Sequence, residues 1–196
     1  MASSLTPRVK ELIEKSRIVS FATWQDRYAP SLIDRLQQAD NHRQYLSDDD
    51  LTALALAQPK GNQPTDPIAA ARQLRDQAAA LVDQARAEVL AAFPGIIEPG
   101  GALFPAIRAE ACWRDFWQFL RCVSYGVAAQ RTDYTDPTGL HYMEQLYQEL
   151  QVPLPAMVRG LESLKTASSQ QVGQDLAPYF DSLINALASF QPEPTP

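Results

Sequence analysis

The stretch from Ala106 to Tyr125 contains neither proline nor glycine, and it constrains the fold of this chain more than any other segment. Its body, Glu110-Ala-Cys-Trp-Arg-Asp-Phe-Trp-Gln-Phe-Leu-Arg-Cys-Val-Ser-Tyr125, holds both cysteines and two of the three tryptophans. It reads as one helix. At about 100° per residue, Cys112, Asp115 and Phe119 share a face, Arg114 flanks it, and Arg121 lies one heptad farther along. Trp113 and Trp117 form a second, aromatic stripe. A thiol and a carboxylate thus sit one turn apart on one side, with large apolar surface on another. On these residues alone, a core helix with a buried cysteine and a surface Arg–Asp pair is favoured over a ligand site.

The remaining composition narrows the class. With 45% apolar and 20% charged residues a globular fold is expected. The net charge of −6 argues against nucleic acid as the main partner. No apolar run approaches the roughly 20 residues that span a bilayer, and the start of the chain lacks a basic-then-apolar signal pattern. A cytoplasmic protein is expected. Cys112 and Cys122 on one helix would lie about 15 Å apart along its axis. A disulfide needs Cα atoms within about 7 Å, so two free thiols follow, in keeping with a reducing compartment. His42 and His141 have no ligand-spaced neighbours, so no zinc site is expected. Asp48, Asp49 and Asp50 read as a helix start against the dipole rather than a metal cluster. No motif supports a catalytic role.

In chain order the pattern predicts helices throughout and no strands. The first runs from Leu5 to Ile18, capped by Thr6 with Pro7 at the first turn. A second covers Trp24 to Ala39, with a break near Ala29 ahead of Pro30. Ser47 caps a third. Residues 58–66 are a loop by their Pro, Gly and Asn content. Pro67 opens one long helix to Phe93, with Leu74, Ala78, Leu81, Ala85, Val89 and Phe93 as its buried stripe. The turn-rich connector 94–101 is expected to tuck Ile96 or Ile97 into the core. After the central helix come one from Asp136 to Leu150, one over Ala156–Thr166 and one over Gln170–Phe190. Residues 191–196 are expected to be a disordered tail.

Several blocks in register resemble the phycobiliproteins, the light-harvesting proteins of cyanobacteria and red algae. They are Ala39-Asp40 through Tyr45-Leu-Ser47, Phe93-Pro-Gly-Ile-Ile-Glu-Pro-Gly-Gly101, Cys112-Trp-Arg-Asp115, Arg121-Cys-Val-Ser-Tyr-Gly126 and Tyr179-Phe-Asp-Ser-Leu-Ile-Asn-Ala186. The resemblance covers about Asp40 to Phe190. It implies an all-α, globin-like domain over residues 40–190, preceded by a helical extension over residues 1–39. It further implies a bilin, an open-chain tetrapyrrole of phycocyanobilin type, joined to Cys112 by a thioether. Asp115 would then hydrogen-bond the pyrrole nitrogens and Arg114 would pair with a propionate. Asp40 and Arg121 match a pair that bridges two subunits, which implies a phycobiliprotein-like partner or a homodimer and association with the thylakoid surface. Leu32, Ile33, Leu36, Tyr45 and Leu46 are expected to supply apolar surface for that contact.

The chain also departs from the family pattern. Gln118 and Phe119 stand where two tyrosines are usual, Ala129-Gln-Arg-Thr-Asp-Tyr134 replaces a Gly-Gly-Thr-x-Pro loop, and Ala102 and Ala111 replace polar residues. Two functions therefore follow from the resemblance: a bilin-bearing protein of the phycobilisome in light harvesting or bilin handling, and a pigment-free protein of the same fold acting in assembly, turnover or regulation of the photosynthetic apparatus.

Overall fold

The computed structural model describes residues 5–58 and 66–190. Residues 59–65 of the loop expected over 58–66, and the tail expected over residues 191–196, lie outside them. Among the described residues there are nine α-helices: α1 Pro7–Lys15, α2 Pro30–Asn41, α3 Asp48–Ala57, α4 Pro67–Asp76, α5 Ala78–Ala92, α6 Ala106–Ala129, α7 Pro137–Glu149, α8 Leu154–Val172 and α9 Ala177–Ala188. The all-α expectation is met, and no described residue belongs to a strand longer than the isolated bridge between Val19 and Thr135.

Local chemistry sets most of the boundaries. Thr6 accepts from the Val9 N–H and caps α1 with Pro7 in its first turn. Ser47 and Asp50 make a reciprocal capping box on α3. Asp66 and Asp136 cap α4 and α7. Several boundaries differ from the sequence reading, among them the start of the last helix, at Ala177 instead of Gln170. Helix α1 stops at Lys15: Ser16 still bonds to Leu12 O, but its backbone leaves the helical region (ψ 45°), and the β-branched pair Ile18-Val19 follows outside the helix. The long helix from Pro67 divides at Gln77 (φ −102°, ψ 7°), so that α4 packs on α6 while α5 packs on α8. Helix α8 continues through Ser168 and Ser169 to Val172, where Gly173 terminates it in the left-handed conformation (φ 69°).

Helix α6 lies at the centre, and every residue from Phe119 to Ala129 is buried. Helices α3, α4, α5, α8 and α9 pack against it, while α1 packs on α7, and the bulk of the core is one continuous apolar cluster containing Trp24, Leu54, Leu74, Phe116, Phe119, Tyr125, Tyr134, Leu161 and Phe180. Gly160 on α8 is required by this packing, since a Cβ there would stand 2.0 Å from the Phe116 ring. Of the connector's two isoleucines, Ile96 enters the core and Ile97 stays exposed.

Residues 16–28 form a strap around the C-terminal end of α6. Ser20 N–H donates to Tyr134 O (2.9 Å) and Asp136 N–H to Ile18 O (2.7 Å). Phe21 packs on Tyr125, and Trp24 is fully buried. The Tyr28 hydroxyl donates to Ala129 O (2.8 Å). The strap passes so close to α7 that a Cβ on Gly139 would lie 1.7 Å from Arg17 O.

Candidate functional site

Helix α6 puts Cys112 and Asp115 on one face, as their spacing predicts, and α7 crosses that face with Tyr147. The start of α6 is fixed by Arg108, whose guanidinium donates to Ala102 O (3.1 Å), Leu150 O (2.9 Å) and Gln151 O (3.0 Å). This staple joins the connector to the end of α7 and so sets the distance between the two helices at the site.

Cys112 is 4% exposed and unpaired. Burial pushes its thiol up to about 12, the Asp115 carboxylate adding to the shift while Arg108 and Arg114 oppose it. Burial also raises Asp115, to about 6, against the hydrogen bond from Tyr147 and the charges of Arg114 and Arg43. The Tyr147 hydroxyl donates to Asp115 Oδ2 at 2.9 Å. The ring of Tyr147 is buried edge-on against Phe190. Among the described residues, this is the one hydrogen bond to the Asp115 carboxylate. Arg114 is exposed and makes no hydrogen bond or ion pair among them. The three residues expected at the site are therefore together: a sealed thiol, a half-buried carboxylate with a free oxygen, and an uncommitted guanidinium.

The aromatic stripe serves packing. Trp113 stacks near Phe116 and beneath the Arg86 guanidinium. Trp117 meets the Tyr45 ring edge-on at 4.8 Å, and the Tyr45 hydroxyl donates to Trp117 O (3.4 Å).

Asp40 and Arg121 lie apart from the thiol, one on α2 and one in the buried half of α6. Within a single chain they pair with each other, Arg121 Nη1 donating to Asp40 Oδ1 at 2.8 Å, with both residues buried. Arg17 from the strap takes the other carboxylate oxygen. Arg121 also donates to Gln118 and to the Tyr125 hydroxyl, which in turn donates to Gln44 O. Leu32, Leu36 and Leu46 are buried in the chain's own core, and Ile33 and Tyr45 pack against it. The expectation that these five face a partner is not met in this conformation, because α2 and the strap fold back on their own chain.

Tyr147 was legible only as an inner-face residue of α7. The sign of its further role is the hydroxyl itself, which must find a partner when the ring is buried. Arg17 and Arg108 carry no local sequence signal, since each acts on backbone or side chains far away in the chain. Among the described residues no group of three or more His, Cys, Asp or Glu side chains could hold a metal ion, and no helix is long and apolar enough to cross a membrane.

Residues 34–187 match the family model described as phycobilisome protein. The chain is 32% identical over 155 residues to the allophycocyanin subunit alpha-B of Nostoc sp., an alignment covering 77% of this chain and 94% of the relative. It is 27% identical over 158 residues to the allophycocyanin alpha-B chain of Cyanophora paradoxa, covering 79% and 96%. It is also similar to the C-phycocyanin-3 beta subunit of Microchaete diplosiphon, at 32% over 133 residues, covering 68% and 75%. Among solved structures, a far-red fluorescent biliprotein derived from an allophycocyanin F subunit of Chroococcidiopsis thermalis superposes with a TM-score of 0.58. It is 22% identical, and the match covers 63% of this chain and 96% of that one, which bears on the fold alone.

Proposed function

Since this chain belongs to the phycobilisome protein family, we propose that it is a bilin-binding member in which Cys112 carries the pigment through a thioether. Asp115 accepts from the pyrrole N–H groups, and Arg114 pairs with a propionate. The observation that carries this reading is the incomplete pairing of Asp115. A carboxylate withdrawn from water is costly unless its oxygens are bonded. Here one oxygen has Tyr147 and the other has no donor among the described residues, one turn from a thiol and beside an unpaired guanidinium. Pyrrole N–H donors complete that set, and charge-assisted bonds of this kind contribute about 1.5–3 kcal/mol each. The bound pigment supplies absorption of visible light. The protein's part is to hold it rigid, which a helix-borne carboxylate and thiol at i and i+3 can do.

Cys112 holds its proton at neutral pH, because its thiol is pushed up to about 12 by burial. Attachment therefore depends on local opening of the site or on an enzyme that takes the thiol proton. Co-expression with a bilin source and an attachment enzyme tests the reading. Zinc-enhanced fluorescence on a denaturing gel, lost in Cys112→Ser, is the expected result; a colourless protein under every loading condition would sink it.

A pigment-free role in assembly, turnover or regulation of the photosynthetic apparatus is the second reading. It is favoured by the seal over Cys112 and by the closure of Asp40 and Arg121 within one chain. Neither reading assigns the protein an enzymatic activity. Contact with a phycobiliprotein-like subunit or a second copy, at the thylakoid surface, belongs to both. Such contact would need surface other than Leu32, Leu36 and Leu46, or release of the strap. Solution mass of the full chain and of a variant lacking residues 1–28 separates these: a full chain that is monomeric at micromolar concentration, beside a truncated chain that associates, places the strap as a cap.

A further inference from the structure

Cys112 is buried, so any chemistry at its thiol requires something to move. Two ties between α6 and α7 show what lies over it. Tyr147 donates to Asp115, one turn beyond the thiol (2.9 Å). Arg108, one turn before it, donates to Leu150 O (2.9 Å) and Gln151 O (3.0 Å). At i−4 and i+3, Arg108 and Asp115 share the face of Cys112. Residues 147–151 therefore run across the thiol.

The two ends of α7 are held on different terms. At its start the strap is in backbone contact. Asp136 N–H donates to Ile18 O (2.7 Å), Val19 bridges to Thr135, and Gly139 lies so close to Arg17 O that no Cβ fits. On its outer side α1 covers Leu146, with Tyr142 and Leu150 beside it, in an apolar cluster separate from the main core. At its end the chain turns through Gln151 N–H to Gln148 O (2.9 Å) and Val152 N–H to Tyr147 O (2.8 Å). Gln151 stands there in the left-handed conformation (φ 50°), which costs a residue with a Cβ more than it costs glycine. The last carbonyls of a helix have no partner within it. Here the Leu150 and Gln151 carbonyls are taken by one side chain, Arg108, which also holds Ala102 O of the connector.

We propose that the last turn of α7, residues 148–152, is the gate to the Cys112 thiol and that Arg108 is its bolt. When Arg108 lets go, the turn relaxes about Gln151 and the thiol meets solvent, while the strap keeps the other end of α7 in place. The gate rests on the bilin reading above, for which it supplies the route to a buried attachment point, but it is tested without pigment. Cys122 is the internal control, since it is buried in the part of α6 that the strap and the core enclose.

The full chain is labelled with N-ethylmaleimide under native conditions, and the rate is read separately at the two cysteines from tryptic peptides by mass spectrometry. In the wild type Cys112 is labelled faster than Cys122. Arg108→Gln speeds Cys112 at least about tenfold, because two charge-assisted bonds to the turn are lost, and leaves Cys122 unchanged. Gln151→Gly relaxes the closed turn and slows Cys112 about fivefold, again without effect on Cys122. Equal acceleration of both cysteines in Arg108→Gln means that the whole fold has loosened and overturns the gate. Unchanged labelling of Cys112 in both variants, or faster labelling in Gln151→Gly, also overturns it. A chain that shows the gate yet stays colourless on co-expression removes the bilin reading alone, and a pigmented chain whose Cys112 ignores both substitutions removes the gate alone.

Discussion

The two halves of α6 are built on different terms. From Phe119 to Ala129 every residue is buried, and the polar groups there are closed into pairs: Arg121 with Asp40, Tyr125 with Gln44, and Ser124 Oγ with Arg121 O. From Ala106 to Gln118 the helix leaves Ile107 and Arg114 exposed and Asp115 half paired. The first half to be named is finished by its own chain, and the second waits for something else. A buried network that is complete fixes a conformation, whereas one left short of a donor carries a cost that only a ligand removes. The difference therefore separates what this chain uses to fold from what it holds available to bind.

The largest effect should come from the finished half. Asp40→Ala leaves the buried Arg121 without its counter-charge and releases Arg17. Breaking one side of a buried ion pair costs about 3–5 kcal/mol, or about 10 °C in Tm for a chain of this size. A loss below about 1 kcal/mol in a chemical denaturation series would mean that the network is no firmer than a surface pair, and the contrast between the halves would disappear.

Gly139→Ala attacks the same half through the strap. Its Cβ would stand 1.7 Å from Arg17 O, a backbone atom that cannot swing aside. The strap must lift, at about 2–3 kcal/mol, and the expected sign is faster exchange of the Ser20 and Asp136 amide protons, which bond across the strap. Unchanged protection at those amides would show that residues 16–28 do not clamp the end of α6.

Asp115→Asn acts on the unfinished half, with the opposite sign. The folded carboxyl sits at about 6, above its unfolded value of about 4. Between those pH values the folded state holds the extra proton, so wild-type stability falls as pH rises through that window. Asparagine keeps an acceptor for Tyr147 and loses the charge. It should stabilise the pigment-free protein at pH 7 by about 2 kcal/mol, discounted for partial exposure, and bring no gain at pH 4. If instead the substitution destabilises at pH 7, Asp115 is a structural partner of Tyr147 and no cost is being carried for a ligand.

How much of this could be read from the sequence follows the same division. The central helix, its Cys112–Asp115 face and the caps at Thr6 and Ser47 were legible because spacing and capping chemistry are local. So was the family pattern, which rests on short blocks in register. The break at Gln77 was not, since nothing in Leu74-Arg-Asp-Gln-Ala78 interrupts a helical pattern; the two segments part because they pack on different helices. The run of α8 past Thr166 could have been read from Gly173, a left-handed stop with Pro178 beyond it. Tyr147 on Asp115 and Arg17 on Asp40 were out of reach, being contacts across 32 and 23 positions that only the fold creates.

The smallest effect lies at Ala129-Gln-Arg-Thr-Asp-Tyr134, the segment that meets the strap. Arg131 donates to Asp26 (2.9 Å), to Asp133 (2.7 Å) and to Thr23 O (3.1 Å), while Asp133 accepts from the Thr23 hydroxyl (2.7 Å) and its carbonyl from the Trp24 indole (3.3 Å). The altered loop and the added N-terminal strap thus hold each other, which explains their presence together. Arg131, with the Thr23 hydroxyl beside it, draws Asp133 down to about 2. This is the reverse of Asp115. A carboxylate depressed on folding contributes stability above about pH 4 and loses it as pH falls towards 2. Because the Asp26 and Asp133 carboxylates are exposed while Arg131 itself is mostly covered, Arg131→Ala should cost about 1 kcal/mol at pH 7, and the charge-dependent part of that cost should fade as pH falls towards 2 and shrink in high salt. Stability against pH would then show two opposed slopes, one from each end of α6: a rise between about 2 and 4 that Arg131→Ala flattens, and a fall between about 4 and 6 that Asp115→Asn flattens. If one substitution removes both slopes, the two ends are coupled through α6 and must be treated as a single site.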